Sequence, residues 1–154
     1  MPKESAGLLL CRERSGGLEV LLVHPGGPFF HKKDLGAWSI PKGEIAPDED
    51  PLATAIREFE EELGTSPAGP YVRLTSIRQR GGKTVHAWAC RGDLDVKRIR
   101  SGTFSLEWPP KSGKTVEFPE VDRAEFFDLT EAAQKINAAQ RDLLDQVPAA
   151  LSSF

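Results

Sequence analysis

The first third of the chain alternates between apolar runs and short polar breaks. Two apolar runs, SAGLLLCRE and LEVLLVH, flank the turn-forming residues 15–17, and this arrangement predicts an antiparallel β-hairpin. A Gly- and Pro-rich loop, HPGGPFFHKKDLG, leads to a short run, AWSI, which ends at Pro41. We expect AWSI to be a strand and the stretch PKGEIAPDED after it to be a loop, because proline and glycine interrupt regular structure.

The strongest helical pattern in the chain runs from Asp50 to Gly64. Asp50 can cap a helix, and Pro51 suits its first position, where a missing N–H costs nothing. Apolar residues recur at helical spacing and form one stripe on a helical wheel: Leu52, Ala55, Ile56, Phe59 and Leu63. Gly64 stands where a left-handed C-terminal cap is expected. The pattern predicts an amphipathic helix with defined ends.

The pattern of apolar residues in the second half of the chain predicts more strands and a closing helix. YVRLTSIRQR and KTVHAWACR are strand-like runs joined by Gly81 and Gly82. Residues 91–119 show no regular period, AEFFDL predicts a strand, and TEAAQKINAAQRDLLDQV predicts a helix broken near Asn137. Strands on both sides of a central helix, followed by a terminal helix, indicate an α/β fold with a mixed sheet between helices.

Composition and charge narrow the class of protein. The chain has 154 residues, 39% of them hydrophobic and 28% charged, which fits one domain with its own core. A net charge of −3 argues against a broad basic surface, so we do not expect a nucleic-acid partner. The N-terminal apolar stretch is too short for a signal peptide, and no run approaches the length of a membrane span. With only two cysteines as well, we expect a cytoplasmic protein with no membrane partner.

Four carboxylates are crowded into the helical segment IREFEEELG. On the wheel, Glu58, Glu61 and Glu62 lie together beside the apolar stripe, whereas Glu60 and Arg57 project elsewhere. Like charges three or four residues apart destabilise a helix by about 0.2–0.5 kcal/mol per pair. A bound divalent cation would reverse that effect, because Mg²⁺ and Mn²⁺ take oxygen ligands. The alternative is a face that simply lies in water, as Glu-rich helices usually do.

A wider spacing pattern decides between these two interpretations. The pattern is G-x5-E-x7-R-E-Φ-x-E-E-x-G, and its fixed residues here are Gly43, Glu49, Arg57, Glu58, Glu61, Glu62 and Gly64. At about one chance in 15 per fixed position, seven matches arise by accident on the order of once in 10⁸ starts. Over residues 43–65 the chain resembles the signature of the Nudix hydrolases, the MutT-like family. The last position, usually a bulky aliphatic residue, is Thr65 here and lies outside the carboxylate set.

The resemblance extends beyond this motif. AWSIPKGE before it, and SLEWPPKSGK and EFPEVDRAEFF after it, are similar to a bacterial Nudix subgroup described only as predicted nucleotide pyrophosphohydrolases. The resemblance implies a single Nudix domain over residues 1–154. It also implies an α/β/α sandwich with a mixed β-sheet and a loop–helix–loop catalytic motif at residues 43–65.

The resemblance assigns roles to individual residues of the motif. It implies that Glu58, Glu61 and Glu62 bind Mg²⁺ or Mn²⁺, with the carbonyl of Gly43 as a further ligand. Arg57 would orient a glutamate and completes the catalytic set, and Glu49 would be a supporting contact. Glu58 is the first candidate for the base that accepts the proton of the attacking water. Three candidates from outside the motif are Glu107, Glu117 and Glu120.

The chemistry of phosphoanhydride hydrolysis agrees with these roles, because it needs neutralised phosphate charge and an activated water. The sequence predicts a metal-dependent pyrophosphohydrolase, an enzyme that acts on acid anhydrides. Its small-molecule substrate would be a nucleoside diphosphate linked to another moiety, in a nucleoside triphosphate or a dinucleoside polyphosphate. Two alternatives are a pyrophosphohydrolase for RNA 5′ ends and a non-catalytic Nudix sensor of nucleotides, which would typically lack the motif glutamates. The oligomeric state, monomer or homodimer, stays open.

The sequence identifies residues for substrate binding less clearly than it identifies the metal ligands. Lys42 and Arg78 can meet phosphates, although single exposed basic residues usually only contact water. Trp38, shortly before the motif, suits either the core or a pocket lined by aromatic side chains. Residues 111–115 end like a phosphate-binding P-loop, but Trp108 stands where the first glycine belongs. We therefore interpret this tract as a basic surface loop.

Overall fold

Nine strands and three α-helices make up the part of the chain that the structure, a computed structural model, describes, residues 3–152. The strands are β1 (Glu4–Arg14), β2 (Gly17–Pro25), β3 (Lys42–Glu44), β4 (Val72–Arg73), β5 (Ile77–Arg78), β6 (Thr84–Arg91), β7 (Thr103–Glu107), β8 (Thr115–Pro119) and β9 (Val121–Asp128). The helices are α1 (Pro51–Leu63), α2 (Leu129–Lys135) and α3 (Arg141–Leu151). Short 3₁₀ turns lie at Arg80–Gly82, Val96–Arg98 and Ala138–Gln140.

A seven-stranded mixed sheet lies at the centre of the fold. The strand order is β4-β6-β1-β2-β9, with β3 added to β1 and β5 added to β6. β1 and β6 run parallel, and the remaining pairs are antiparallel. The predicted first hairpin is confirmed, since β1 and β2 pair across a tight turn with Arg14 opposite Gly17. The predicted strand AEFFDL is also confirmed, as part of β9.

Helices cover both faces of this sheet, which confirms the predicted sandwich. On β1, Leu8 and Leu10 belong to the core shared with α1, whereas Leu9 and Cys11 belong to the core shared with α2 and α3. This alternation follows from the period of two along a strand, which sends successive side chains to opposite faces. Phe59 of α1, which is fully buried, fills the first of these cores. The sheet therefore fixes α1 on one side and the closing helices on the other.

Helix α1 begins and ends where its sequence predicts. The Asp50 side chain accepts a hydrogen bond of 3.0 Å from the N–H of Ala53, and Pro51 occupies the first turn. At the other end, Gly64 has φ of 82°, and its N–H donates to the Glu60 carbonyl at 2.7 Å. These two caps are local, so they set the position of the motif glutamates within the helix.

The segment AWSI is not a regular strand, contrary to the prediction. Within residues 3–152 it forms isolated bridges, Ser39 with Val23 and Trp38 with Ile136. The segment lies between β2 and the residues that follow α2, so its successive residues pair with different neighbours. The closing helix does break as predicted, because α2 ends at Lys135 and α3 begins at Arg141.

The stretch 91–119, which the sequence analysis describes as irregular, contains a second hairpin. β7 and β8 pair antiparallel, from Thr103 opposite Pro119 to Glu107 opposite Thr115, and form their own two-stranded sheet. The prediction was wrong because the alternating residues of TFSLE are few and only half buried, and the flanking residues resemble a loop. The P-loop-like tract lies at the turn of this hairpin, without a following helix.

Two further features of the described residues 3–152 concern a predicted strand and the possibility of a membrane span. The run YVRLTSIRQR divides into β4 and β5, which both pair with β6. No helix in this range combines the length and the apolar character needed to cross a bilayer.

We expect Asp50→Ala to lower the free energy of unfolding by about 1 kcal/mol, because it removes the acceptor of the Ala53 N–H. Asp50→Asn is the matched control, since asparagine caps a helix about as well as aspartate. Urea denaturation followed by circular dichroism measures both variants. An equal loss in the two variants would contradict the capping role of the Asp50 side chain.

Candidate active site

Arg57 connects three of the motif carboxylates. Its Nε and one terminal nitrogen donate to the two oxygens of Glu49, at 2.8 and 2.9 Å. The other terminal nitrogen donates to Glu58 at 3.0 Å and to Glu61 at 3.1 Å. The guanidinium lowers the pKa of Glu49 to about 2, and Glu49 in turn raises the pKa of Arg57. The motif arginine therefore stays charged and holds the glutamates of the helix against the loop that precedes it.

Gly43 lets the backbone of β3 come close to the Glu58 carboxylate. β3 pairs with β1, with Gly43 opposite Ala6, and this pairing places the glycine against α1. A Cβ atom at position 43 would overlap the carboxyl group of Glu58. Burial raises the pKa of Glu58, and the charge of Glu61 raises it further, while Arg57 lowers it. A side chain at position 43 would therefore displace the Glu58 carboxylate from its contact with Arg57, and the glycine leaves room for it.

Glu62 is the buried carboxylate of the motif, with 9% of its surface exposed. Its Oε2 has no hydrogen-bond partner among residues 3–152. Burial raises the pKa of Glu62 to about 8, and the charges of Glu58 and Glu120 add to this effect. Lys42 acts in the opposite direction through its backbone N–H and its ammonium group. A buried oxygen without a donor is costly, so this atom marks the place where a positive charge would be most favourable.

A cavity of about 280 Å³ opens beside Glu62. Charged, amide and aromatic side chains line it together: Lys42, Glu62, Glu120, Gln79, Asn137, Gln140, Phe30 and Trp38. Burial lowers the pKa of Lys42, and the charge of Lys83 lowers it further, while nearby carboxylates oppose the shift. The cavity thus combines a carboxylate with a partly buried ammonium group, and this pair of charges suits a phosphate-bearing ligand that also brings a cation.

The loop between β2 and Trp38 is attached to the sheet through His24, which is fully buried. The Nε2 of His24 lies 2.7 Å from the carbonyl of Lys33, and its Nδ1 lies 2.7 Å from Asp122. The same ring packs edge-on against Trp38, with 5.2 Å between centroids. These contacts hold the loop that carries Phe30 to the cavity wall.

Two of the three predicted substrate-binding residues line the cavity, and the third does not. Lys42 lines the cavity. Trp38 lines it as well, but only 1% of its surface is exposed, and its Nε1 donates to Asp34 at 2.8 Å. Arg78 is exposed on β5 and is not among the residues that line this cavity.

Of the three base candidates outside the motif, only Glu120 lines the cavity. Glu107 and Glu117 are exposed on the β7–β8 hairpin. Sequence reasoning missed Gln79, Asn137 and Gln140 as cavity residues, because single amides at a strand end and a helix break carry no spacing signal.

Within residues 3–152, no three His, Cys, Asp or Glu side chains are already gathered as a metal site. Hydrogen bonds direct Glu58 and Glu61 to Arg57, whereas Glu62 lines the cavity. That the three share one ion therefore stays a prediction. The donor set nevertheless fits a cation. The unpartnered Oε2 of Glu62 and the raised pKa values of Glu62 and Glu58 are what a positive charge would relieve.

Comparisons with known proteins bear on the family and the fold of the chain. The NUDIX domain family matches residues 1–147. Over 62 residues, 40% of this chain, the sequence is 39% identical to an asymmetrical bis(5'-nucleosyl)-tetraphosphatase of Caenorhabditis elegans. Over 52 residues, 32% of this chain, it is 40% identical to an RNA pyrophosphohydrolase of Rhodospirillum rubrum. The matched segments span 41% and 32% of those two proteins, so less than half of each.

A solved structure shares the fold over almost the whole chain. It is a binary complex of a C. elegans Ap4A hydrolase, with a TM-score of 0.67 and 24% sequence identity. The alignment covers 99% of this chain and 99% of the other. At this level of identity the likeness concerns the fold alone.

We expect the stability of the metal-free protein to fall as the pH rises from about 5 to about 8. In this window the folded state keeps a proton on Glu62, whose pKa is raised from 4.5 to about 8, and the unfolded state has lost it. Glu62→Gln removes this titration and should flatten the pH dependence, with the largest gain in stability near pH 8. Thermal melting in the presence of a chelator measures it.

The matched control for this experiment is Glu60→Gln, an exposed glutamate on the same helix. It removes the same charge without removing a buried carboxylate, so its pH dependence should follow the wild type. If the stability of both variants changed with pH in the same way, burial of Glu62 would not be the cause of the pH dependence.

Proposed function

The chain belongs to the NUDIX domain family, and from that premise we propose that it is a divalent-metal-dependent pyrophosphohydrolase. It cleaves a phosphoanhydride bond in a nucleoside diphosphate linked to another moiety, either a nucleoside triphosphate or a dinucleoside polyphosphate. The observation that carries this proposal is the unpartnered, buried Oε2 of Glu62, a residue that lines a cavity together with Lys42. This arrangement is unfavourable for the isolated protein and favourable for one that binds a cation with a phosphorylated ligand.

The motif supplies oxygen ligands for the ion. Glu58, Glu61 and Glu62, with the carbonyl of Gly43, would hold Mg²⁺ or Mn²⁺, which prefer such ligands. When bound, the ion neutralises charge on the diphosphate and lowers the pKa of a bound water. Arg57 positions Glu58 and Glu61 through its hydrogen bonds, while Glu49 fixes the guanidinium from the opposite side.

Lys42 contributes a positive charge to the cavity that does not depend on the metal. It is half-buried, and Glu62, Glu44 and Glu58 all stabilise its charged form. An ammonium group here binds a phosphate oxygen and lowers the repulsion between the substrate and the carboxylates. Arg78, exposed and outside the cavity lining, has no comparable position.

We assign the general base to Glu120 rather than to Glu58, the first candidate from the sequence. Glu58 accepts a hydrogen bond from Arg57, which engages its carboxylate, although burial and the charge of Glu61 raise its pKa overall. Glu120 lines the same cavity, and its carboxylate has no hydrogen bond within residues 3–152. Burial raises the pKa of Glu120, and the charge of Glu61 raises it further. A base is most effective when its pKa lies near the working pH. A raised pKa suits both Glu58 and Glu120, so the carboxylate that is free of Arg57 is what favours Glu120.

Two observations bear on the choice of substrate. The curated relatives are named as a tetraphosphatase and as an RNA pyrophosphohydrolase, and both names describe cleavage of a phosphoanhydride. Tyr71 is the only tyrosine of the chain, and its hydroxyl donates to the carbonyl of Pro67 at 2.7 Å. It is not among the residues that line the cavity, so it offers no stacking surface for a base there.

The RNA 5′-end activity is the second candidate, and the Rhodospirillum relative is the observation that favours it. A strand of RNA would need a basic channel, whereas this chain carries a net charge of −3. A non-catalytic nucleotide sensor is the third, and the intact set of motif glutamates speaks against it. Salt-sensitive binding of triphosphorylated RNA would favour the second candidate over small nucleotides.

A panel of nucleotides assayed with Mg²⁺ or Mn²⁺ tests the proposed activity. The panel contains nucleoside triphosphates, dinucleoside tetraphosphates and a 5′-triphosphorylated RNA. Hydrolysis in ¹⁸O-labelled water, with mass analysis of the products, then shows which phosphorus water attacks. The absence of metal-dependent turnover on every member would overturn the proposal.

We expect Glu62→Gln and Glu58→Gln each to lower turnover by roughly 10²–10⁴-fold, the usual scale for a lost acid–base or metal contact. Thermal melting should show that both variants remain folded. Glu60→Gln, on the same helix but exposed, is the control and should retain wild-type turnover. Wild-type rates in either of the first two variants would remove that residue from the catalytic set.

The assignment of the base predicts a change in the pH–rate profile. In the wild type, kcat/KM should fall as the pH drops through the pKa of Glu120, because the protonated carboxyl cannot accept a proton from water. Glu120→Gln should lower the rate and remove this acid limb. Glu117→Gln, an exposed glutamate of the neighbouring hairpin, should keep both rate and limb. If Glu58→Gln removes the limb and Glu120→Gln does not, the base is Glu58.

A further inference from the structure

Three amide side chains form one wall of the cavity beside Glu62. Gln79 follows β5, while Asn137 and Gln140 lie at the start and end of the 3₁₀ turn after α2. An amide group presents an acceptor on one side and a donor on the other, so its orientation decides what it can bind. In this wall, backbone N–H groups fix the amides of Gln140 and Asn137, and the amide of Gln140 fixes that of Gln79.

Gln140 is fixed by a backbone group that can only donate. The N–H of Ile40 lies 3.0 Å from the Oε1 of Gln140, so this atom is the amide oxygen. The Nε2 of Gln140 must then face the other way, and it donates to Ser39 Oγ at 3.1 Å and to Gln79 Oε1 at 3.0 Å. Gln140 itself is 1% exposed, so it transmits this orientation rather than contacting a ligand.

Gln79 is oriented by Gln140. Because its Oε1 accepts from Gln140, its Nε2 is directed elsewhere and has no hydrogen-bond partner among residues 3–152. The main chain of Gln79 is held as well, since its N–H donates to the carbonyl of Lys83 at 2.7 Å. The amide NH₂ of Gln79 is therefore a fixed and unused donor on a residue that lines the cavity.

Asn137 is oriented in the same way by the turn that it caps. Its Oδ1 accepts from the N–H of Ala139 at 3.0 Å, so its Nδ2 is left without a partner within the described residues. Its own N–H donates to the carbonyl of Trp38 at 2.7 Å, and this contact fixes the residue against the cavity wall. The wall thus carries two free amide donors, on Gln79 and Asn137, and both free atoms are of the same kind.

From these two donors we infer that the cavity selects a nucleotide whose base presents two acceptors on one edge, as guanine does with N7 and O6. This inference rests on the proposed function, because it names the base of that same substrate. Adenine presents N7 as an acceptor but N6 as a donor on the corresponding edge, so one of the two amide donors would face another donor. Phe30, 37% exposed, also lines the cavity and supplies an apolar surface for a base.

A panel of four triphosphates tests the inference in the presence of Mg²⁺. GTP and ITP both carry O6 and N7, whereas ATP and 2-aminopurine riboside triphosphate lack O6. We expect kcat/KM for GTP and ITP to exceed that for ATP and the 2-aminopurine nucleotide by about tenfold or more. Two results would overturn the inference. One is a higher kcat/KM for GTP and the 2-aminopurine nucleotide, which share the 2-amino group, than for ATP and ITP. The other is an equal kcat/KM for GTP and ATP.

Two substitutions test whether these amides read the base. Asn137→Asp keeps the oxygen that accepts from Ala139 and replaces the free NH₂ with an acceptor. Gln79→Met keeps the length of the side chain and removes the NH₂ without adding charge. Each should lower the ratio of kcat/KM for GTP to that for ATP toward one, and Asn137→Asp should lower it further. A ratio equal to the wild-type value in both variants would show that other groups select the base.

Gln134→Glu is the matched control for added charge, because Gln134 is exposed on α2 and does not line the cavity. It should keep the wild-type ratio, and thermal melting confirms that every variant is folded. Calorimetric titration with GDP and ADP separates the two proposals. Tighter binding of GDP without any hydrolysis would contradict the proposed activity and support the base selection. Equal hydrolysis of adenine and guanine nucleotides would contradict the base selection alone.

Discussion

A buried carboxylate oxygen without a donor is the constraint on which the site depends. Oε2 of Glu62, a residue that lines the cavity, is buried and has no protein partner within residues 3–152. The charges of Glu58 and Glu120 add to the cost of ionising the Glu62 carboxylate, because both favour its protonated form. Such an arrangement destabilises the isolated chain. It persists because a tightly packed helix holds Glu62 in place, and a cation with its phosphorylated ligand would remove the cost.

The fold holds this unfavourable group through contacts at both ends of the motif. The caps at Asp50 and Gly64 fix α1 along its axis, and buried Phe59 fixes its rotation against the sheet. Arg57 then gathers Glu49, Glu58 and Glu61 into one hydrogen-bonded group, while Glu62 lines the cavity. The guanidinium therefore holds Glu58 and Glu61 in position, whereas the Oε2 of Glu62 has no protein donor within residues 3–152.

The parts of the structure that the sequence predicts are those that depend on near neighbours. The ends of α1 follow from Asp50, Pro51 and Gly64, and the β1–β2 hairpin follows from two apolar runs and a turn. The β7–β8 hairpin was missed, because its apolar residues are half buried and its flanks resemble a loop. The spacing of four residues between Arg57 and Glu61 favours their ion pair, which the structure contains, but it could not show that the same guanidinium would donate to both oxygens of Glu49.

One end of the cavity depends on residues that are close in the sequence, and the other end depends on residues that are far apart. This difference explains why membership of a family does not reveal the substrate. Glu62 belongs to the motif, and Lys42 directly precedes it, 20 positions before Glu62. The amide wall is assembled by contacts between residues that are far apart, with 100 positions between Ile40 and Gln140 and 61 between Gln79 and Gln140. A spacing pattern can encode the first end, because one loop and one helix build it. No spacing pattern can encode the second, because the orientation of each amide depends on tertiary packing. In the proposed enzyme, recognition of the base therefore depends on the folded chain, whereas the chemistry of the phosphates depends on the motif.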